Sequence, residues 1–310
     1  VLVLNTLAPV FLLIGIGALL ERTKFFAAGF LKEANRVTYW VGLPALLFSQ
    51  LATSFHDAGG AKLMLGAMAA ATGLVVIFGY LFAWLLRIPA KAKGTFVQGA
   101  FRGNLAFIGL PIIYAMPDTP IAGGLSARSA AVVVVAPMMV GYNLVAVVAL
   151  LLSQHEIGWG MVKPLSKQLL TTPPLLATLA GIGFAVAGWT LPTAIDKTFS
   201  ALGEMALPLG LLGVGGSIVA VERRLTGVGP WGAALLKTAL SPALGWAIGA
   251  IIGLDAVELK IVMIFMAAPT AIVSYAMALE LHGDESIASG SIVLSVLMSI
   301  PALAIIIGVF

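Results

Sequence analysis

The chain has 310 residues, of which 60% are hydrophobic and 10% charged, with a net charge of +4 and a mean hydropathy of +1.08. No soluble fold of this length hides so much apolar surface, so lipid must be the solvent for most of it. The absence of cysteine excludes disulfides, thiolate metal sites and cysteine nucleophiles, and the small net charge, carried in loops, argues against a nucleic-acid partner.

The first residues, VLVLNTLAPV, lack a basic flank and a cleavage site, so they are read as a first span rather than a signal peptide. Segments long enough to cross about 30 Å of hydrocarbon fall at about 2–20, 32–54, 61–86, 94–116 and 121–152. A short polar connection, 153–170, leads to five more at about 171–190, 196–220, 229–253, 257–281 and 286–309. Backbone groups in lipid need partners within their own segment, and these runs show no strand-like alternation. The expected fold class is therefore all-α integral membrane, with ten transmembrane helices.

The two halves echo one another. Pro9 and Pro173, Pro44 and Pro208, and Pro137 and Pro301 each stand 164 residues apart. Five spans per half is an odd number, so the second half enters the membrane from the opposite side. The halves, 1–152 and 171–310, are expected as two inverted five-helix repeats. Loops on one side carry eleven Lys and Arg residues against four on the other, which puts the first side in the cytoplasm and both termini outside it.

Trp84, Trp159, Trp189 and Trp231 are expected at the membrane interfaces. His56, His155 and His282 read as solvated loop residues. The run GVGGS at 213–217 follows no strand, so its small residues are read as helix packing rather than a dinucleotide fingerprint.

No catalytic constellation or metal-ligand spacing lies inside the spans, so neither an enzyme nor a cofactor is expected. Ionisable groups inside a membrane are costly and point to function. Three are well inside a span: Arg102, Glu204 and Lys237. Arg102 sits in FRGNLAFIGLP, where Gly103, Gly109 and Pro111 interrupt the fourth helix. The matching ninth segment, MAAPTAIVSYA, is broken at Pro269, and an offset of 166 sets Gly103 over Pro269 and Asn104 over Thr270.

Interrupted helices in corresponding positions of inverted repeats mark a substrate site near the midplane. The N–H groups of the half-helices and Arg102 favour an anion there, most simply a carboxylate. Asn104 and Thr270 either bind the substrate or satisfy backbone groups freed by the breaks. Arg102 either faces the anion or extends to the cytoplasmic headgroups. Ser274, one turn past Thr270, and Tyr275 are further substrate-binding candidates. Glu204 and Lys237 are candidates for a proton-linked group or solvated vestibule residues.

On APVFLLIGIG (8–17), NRVTYWVGLPALLF (35–48), RGNLAFIGLP (102–111) and AAPTAIVSYAMALEL (267–281), the chain resembles the auxin efflux carrier family across all ten spans. That family includes plant PIN auxin carriers and bacterial malate and malonate permeases. The resemblance implies a bile-acid-symporter-like fold in which helices 4 and 9 break and cross. It also implies a scaffold and homodimer face from spans 1, 2, 6 and 7, and an elevator-type transport domain from spans 3–5 and 8–10. The family's crossover Asn and Pro map to Asn104 and Pro269. Plant members carry Pro where this chain has Gly103, and the break is expected to persist.

The expected function is a secondary transporter that moves a small organic anion, auxin-like or malate/malonate-like, across the cytoplasmic (inner) membrane by uniport or proton linkage. The alternatives are a sodium-coupled organic anion symporter of the bile-acid type and, more distantly, a non-transporting sensor or intramembrane enzyme. The sodium route is disfavoured because no Asp lies inside a span to build a cation site.

Overall fold

The computed structural model describes residues 2–27, 29–54, 61–114, 116–121, 124–154, 173–220 and 227–309. His56, His155, Trp159 and most of the 153–170 connection lie outside the described residues, as do the loop bases Lys163, Lys167, Arg223 and Arg224. The described residues are helical and contain no strand beyond two isolated bridges.

The first half contains α1 (Leu2–Arg22), α2 (Phe30–Val37), α3 (Leu43–Ser54), α4 (Lys62–Leu85), α5 (Ala90–Phe101), α6 (Leu110–Tyr114) and α7 (Ala127–Gln154). The second contains α8 (Pro173–Val186), α9 (Thr193–Glu204), α10 (Ala206–Ala220), α11 (Val228–Leu235), α12 (Ser241–Ile251), α13 (Ala256–Ala267), α14 (Val273–Glu280) and α15 (Glu285–Val309). Among the described residues, four stretches are long and apolar enough to cross a membrane by length and composition: Lys62–Leu85, Ala127–Gln154, Val228–Ile251 and Glu285–Val309.

Proline explains most of the interruptions. Five-residue π turns at Thr38–Gly42, Leu105–Gly109 and Leu236–Leu240 join α2 to α3, lead into α6, and join α11 to α12. Pro44, Pro111 and Pro242 stand two residues past these turns. Each lacks the N–H that the carbonyl four residues back would accept, and its ring crowds that carbonyl, so the turn widens. Pro208 acts on Glu204 in the same way, and α9 ends there, with Met205 alone between it and α10. Pro44 and Pro208, one of the matched pairs, thus both interrupt their helices. Pro137 and Pro301 both lie inside long helices.

Polarity runs inside out. Leu12, Ile77, Trp84, Ile251 and Ile305 are between 63% and 82% exposed, as lipid-facing residues are. Meanwhile Ser291, Ser295 and Ser299 form a buried row on α15, each hydroxyl donating to a carbonyl of the preceding turn. Trp84, Trp189 and Trp231 are exposed near helix ends, and His282 is exposed in the turn after α14.

Helices pack most closely where side chains are small. Gly17 on α1 lies against the Leu212 backbone of α10, and Gly215 on α10 lies against the Ile14 carbonyl, with no room for a Cβ at either. Gly213 and Gly216 are equally confined, by Asn35 and Leu31, so the glycines of 213–217 serve helix packing. The main pairings are α1 with α10 and α3 with α8 and α9; separately, α5 pairs with α7, α11 with α15, and α12 with α4 and α13.

Candidate functional site

Two helices break, and their breaks are buried and meet in an antiparallel bridge. Gly253, at a positive φ of 82°, turns the chain out of α12. An Asp255–Glu258 capping box then starts α13: the Glu258 N–H donates to Asp255 Oδ1 at 2.8 Å and the Asp255 N–H to Glu258 Oε2 at 2.9 Å. α13 stops at Ala267, before Pro269, and α5 stops at Phe101, before Gly103.

Between Phe101 and Leu105 the chain runs antiparallel to the 268–272 segment. The Asn104 N–H donates to the Pro269 carbonyl at 2.8 Å, and the Ala271 N–H to the Arg102 carbonyl at 2.9 Å. These bonds form the isolated bridge Gly103–Thr270. The Gly103 break persists without a proline because this crossed pair supplies the backbone partners that the helices have lost.

Thr270 adds two further bonds at the break. The Thr270 N–H donates to Ser295 Oγ at 2.9 Å, and the Thr270 hydroxyl donates to the Gly99 carbonyl at 2.7 Å, in the last turn of α5. Of the two roles open to Thr270, satisfying freed backbone is the one its hydrogen bonds perform. The N–H groups of Asn104, Thr270 and Ala271 are bonded inside the protein.

Arg102 is buried. Its guanidinium donates to Asn143 Oδ1 on α7 and to the Met277 sulfur on α14. The headgroup alternative therefore falls away, since the side chain turns into the bundle. Arg102, Gly103, Asn104 and Asn143 line a cavity whose other wall is Leu43, Leu46 and Leu47 of α3, with Tyr142 and Val273 beside them. A smaller cavity adjoins it, sharing Leu43, Asn104 and Val273. The volumes are about 40 and about 20 Å³. A water needs roughly 10–15 Å³ on this measure, so the space as it stands holds a few waters and no organic molecule.

Asn143 was not singled out in the sequence. It is buried, and its Nδ2 has no protein acceptor among the described residues. The available signal was an amide inside the otherwise apolar run MMVGYNLVAVV. Gln98, one turn before Arg102, was also missed: it is buried and donates to the Ser274 carbonyl at 3.5 Å, while its Oε1 has no partner among the described residues.

Other expected residues stand apart from the cavity walls. Ser274 and Tyr275 are buried in α14 without lining either cavity, and the Ser274 hydroxyl has no partner among the described residues. Gly109 closes the π turn that follows the break, its N–H donating to the Asn104 carbonyl at 3.1 Å, and an added Cβ there would come within 2.6 Å of the Phe265 ring. Pro111 lies inside α6. Glu204 is exposed at the end of α9 and lines neither cavity. Lys237 is fully buried, which removes its vestibule alternative, and its ammonium donates to the Met266 carbonyl at 2.6 Å.

A family model described as "Membrane transport protein" matches residues 2–307. Auxin efflux carrier component 8 of Arabidopsis thaliana is 28% identical over 145 residues, which cover 44% of this chain and 38% of that protein. The match thus spans well under half the length of that curated relative.

Proposed function

The chain belongs to the membrane transport protein family, the auxin efflux carrier family that its motifs resemble, and from that premise we propose that it carries a small organic anion across the cytoplasmic membrane. It is a multi-pass membrane protein, by its family and its long apolar helices. The observation that carries the anion reading is Arg102, a buried cation lining a cavity, with an amide and a sulfur as its bonded side-chain partners. A guanidinium in low dielectric without a carboxylate is costly, and a carboxylate substrate relieves that cost.

In this reading the carboxylate binds Arg102 and the Asn143 amide, Asn104 completes the polar side, and Leu43, Leu46 and Leu47 contact the apolar body. Thr270 holds the crossing together behind them, with Ser274 and Tyr275 in support. A ligand pocket for an organic molecule has roughly 300–1,000 Å³, so α3 and the crossing must part to admit a substrate. The helix pairings support a division into two bodies that move past one another. α1–α3 and α8–α10 would be the scaffold and dimer face, and α4–α7 and α11–α15 the elevator-type transport domain.

Ten spans in two inverted repeats, with both termini outside the cytoplasm, complete the reading. The anion gradient and the membrane potential drive transport, with a proton link as the variant to test. The wild-type protein in proteoliposomes should take up organic carboxylates. Asn104→Ala should lose at least about tenfold of that uptake, a change of about 1.4 kcal/mol, while melting as a folded protein. Wild-type flux in that variant would rule out the proposed site.

A further inference from the structure

Lys237 is a second cation at the crossing, and substrate binding as read above makes no use of it. It lies in the π turn Leu236–Leu240 and is fully buried. Its ammonium donates to the Met266 carbonyl at 2.6 Å and to Ser241 Oγ at 3.3 Å. Met266 belongs to the last turn of α13, the negative end of that helix's dipole. The corresponding end of α5 is satisfied by a neutral group, since its Gly99 carbonyl accepts from the Thr270 hydroxyl.

Gly103 makes the arrangement possible. A Cβ there would lie 3.2 Å from both Nζ and Cε of Lys237, so the ammonium packs directly behind the segment that lines the Arg102 cavity. The ion pairs formed among the described residues are Arg36–Glu33 and Arg36–Glu280, and neither involves Lys237 or Arg102. An ammonium held inside a membrane bundle on a helix carbonyl end, with no acid paired to it among the described residues, calls for a role. Carbonyl ends of broken helices are where transporters hold dissociable coupling cations.

We propose that Lys237 is a tethered counter-cation: its ammonium occupies, as part of the chain, the place at the α13 carbonyl end that a free alkali cation would otherwise fill. The fixed charge travels with the crossing, so the anion needs no co-transported cation. This inference rests on the carrier reading. It differs from a proton link in that the charge stays on the chain throughout the cycle.

The test measures uptake of indole-3-acetate and of malonate as probe anions, with Na⁺, choline or methylammonium as the external cation. The wild-type chain should transport equally in Na⁺ and choline. Lys237→Ala should fall at least about tenfold in choline and recover most of that loss in methylammonium, which fits the vacated place. Its melting temperature, read without any transport, should rise with methylammonium or Na⁺ while that of the wild type does not.

A wild type that requires Na⁺ overturns the proposal, and so does a Lys237→Ala protein whose melting ignores the cation supplied. Lys237→Met fills the volume without the charge and covers the case in which Lys237→Ala does not fold. It should be inactive in every salt, and wild-type uptake by it overturns the proposal equally. If the wild type moves neither probe, the carrier reading is in trouble, and the melting comparison still decides the role of Lys237.

Discussion

The two broken helices meet in one backbone bridge, to which each contributes a donor and an acceptor, and differ sharply in their side chains. At the first break, Arg102, Gly103 and Asn104 line the cavity. At the second, Pro269 and Thr270 are spent on the crossing itself, one through its carbonyl and the other through its hydroxyl and N–H. Behind them the asymmetry reverses: the carbonyl end of α5 is closed by a neutral hydroxyl, and that of α13 by the Lys237 ammonium. The backbone bridge needs both segments equally, and the chemistry does not. The first break gives the cavity its polar lining, Arg102 and Asn104, while the second adds only the apolar Ala271 and Val273 and turns its Thr270 hydroxyl into the crossing.

The sharpest way to break this division of labour is Arg102→Gln. Removing one partner of a buried charge contact costs about 2–5 kcal/mol, so anion affinity should drop about thirtyfold or more. The ligand-induced rise in melting temperature should vanish with it. Retained affinity would mean that the first break does not carry the anion's counter-charge.

Thr270→Val tests the other side with a smaller effect of a different kind. The loss of its hydroxyl leaves the buried Gly99 carbonyl without that donor, at a cost of about 1–3 kcal/mol in stability. Thermal melting should register this loss, while anion affinity in the folded protein should change by less than about threefold, under 1 kcal/mol. An affinity loss comparable to that of Arg102→Gln would make the two breaks equivalent as ligand sites.

The breaks themselves were legible because Gly103 and Pro269 act locally: the glycine weakens the helix and lets the chain bend, and the proline removes a donor and crowds the preceding turn. The faces of the continuous helices were not. In a bilayer both the lipid-facing and the packed side of a helix are apolar, so periodicity gives little contrast. That is why Asn143, buried on α7 beside Arg102, escaped notice, although an amide in an apolar run is itself a signal. Lys237 was noticed as an intramembrane charge. Its contact with the Met266 carbonyl depends on how α13 crosses α11–α12, which no local pattern encodes. Thr270 shows the same limit: its position after Pro269 was readable, and its bond to Gly99, 171 residues away, was not.

The smallest effect concerns the seam between the two proposed bodies. Glu280, at the end of α14, accepts from Trp40 Nε1 at 3.3 Å and lies 3.6 Å from the Arg36 guanidinium. Trp40 lies in the first π turn and Arg36 on α2, so these contacts join the proposed scaffold to the helix that follows the second break. Any relative movement of the two must undo them. The Arg36 side chain is 54% exposed and that of Glu280 18%, so the pair is largely solvent-screened and worth about 0–1 kcal/mol. Glu280→Gln keeps the shape and an acceptor for Trp40 while removing the charge. It should change the uptake rate by no more than about fivefold, the kinetic equivalent of about 1 kcal/mol. It should also flatten the dependence of that rate on ionic strength, because the attraction it removes is the one that salt screens. An effect as large as that of Arg102→Gln would move the functional charge from the crossing to the seam.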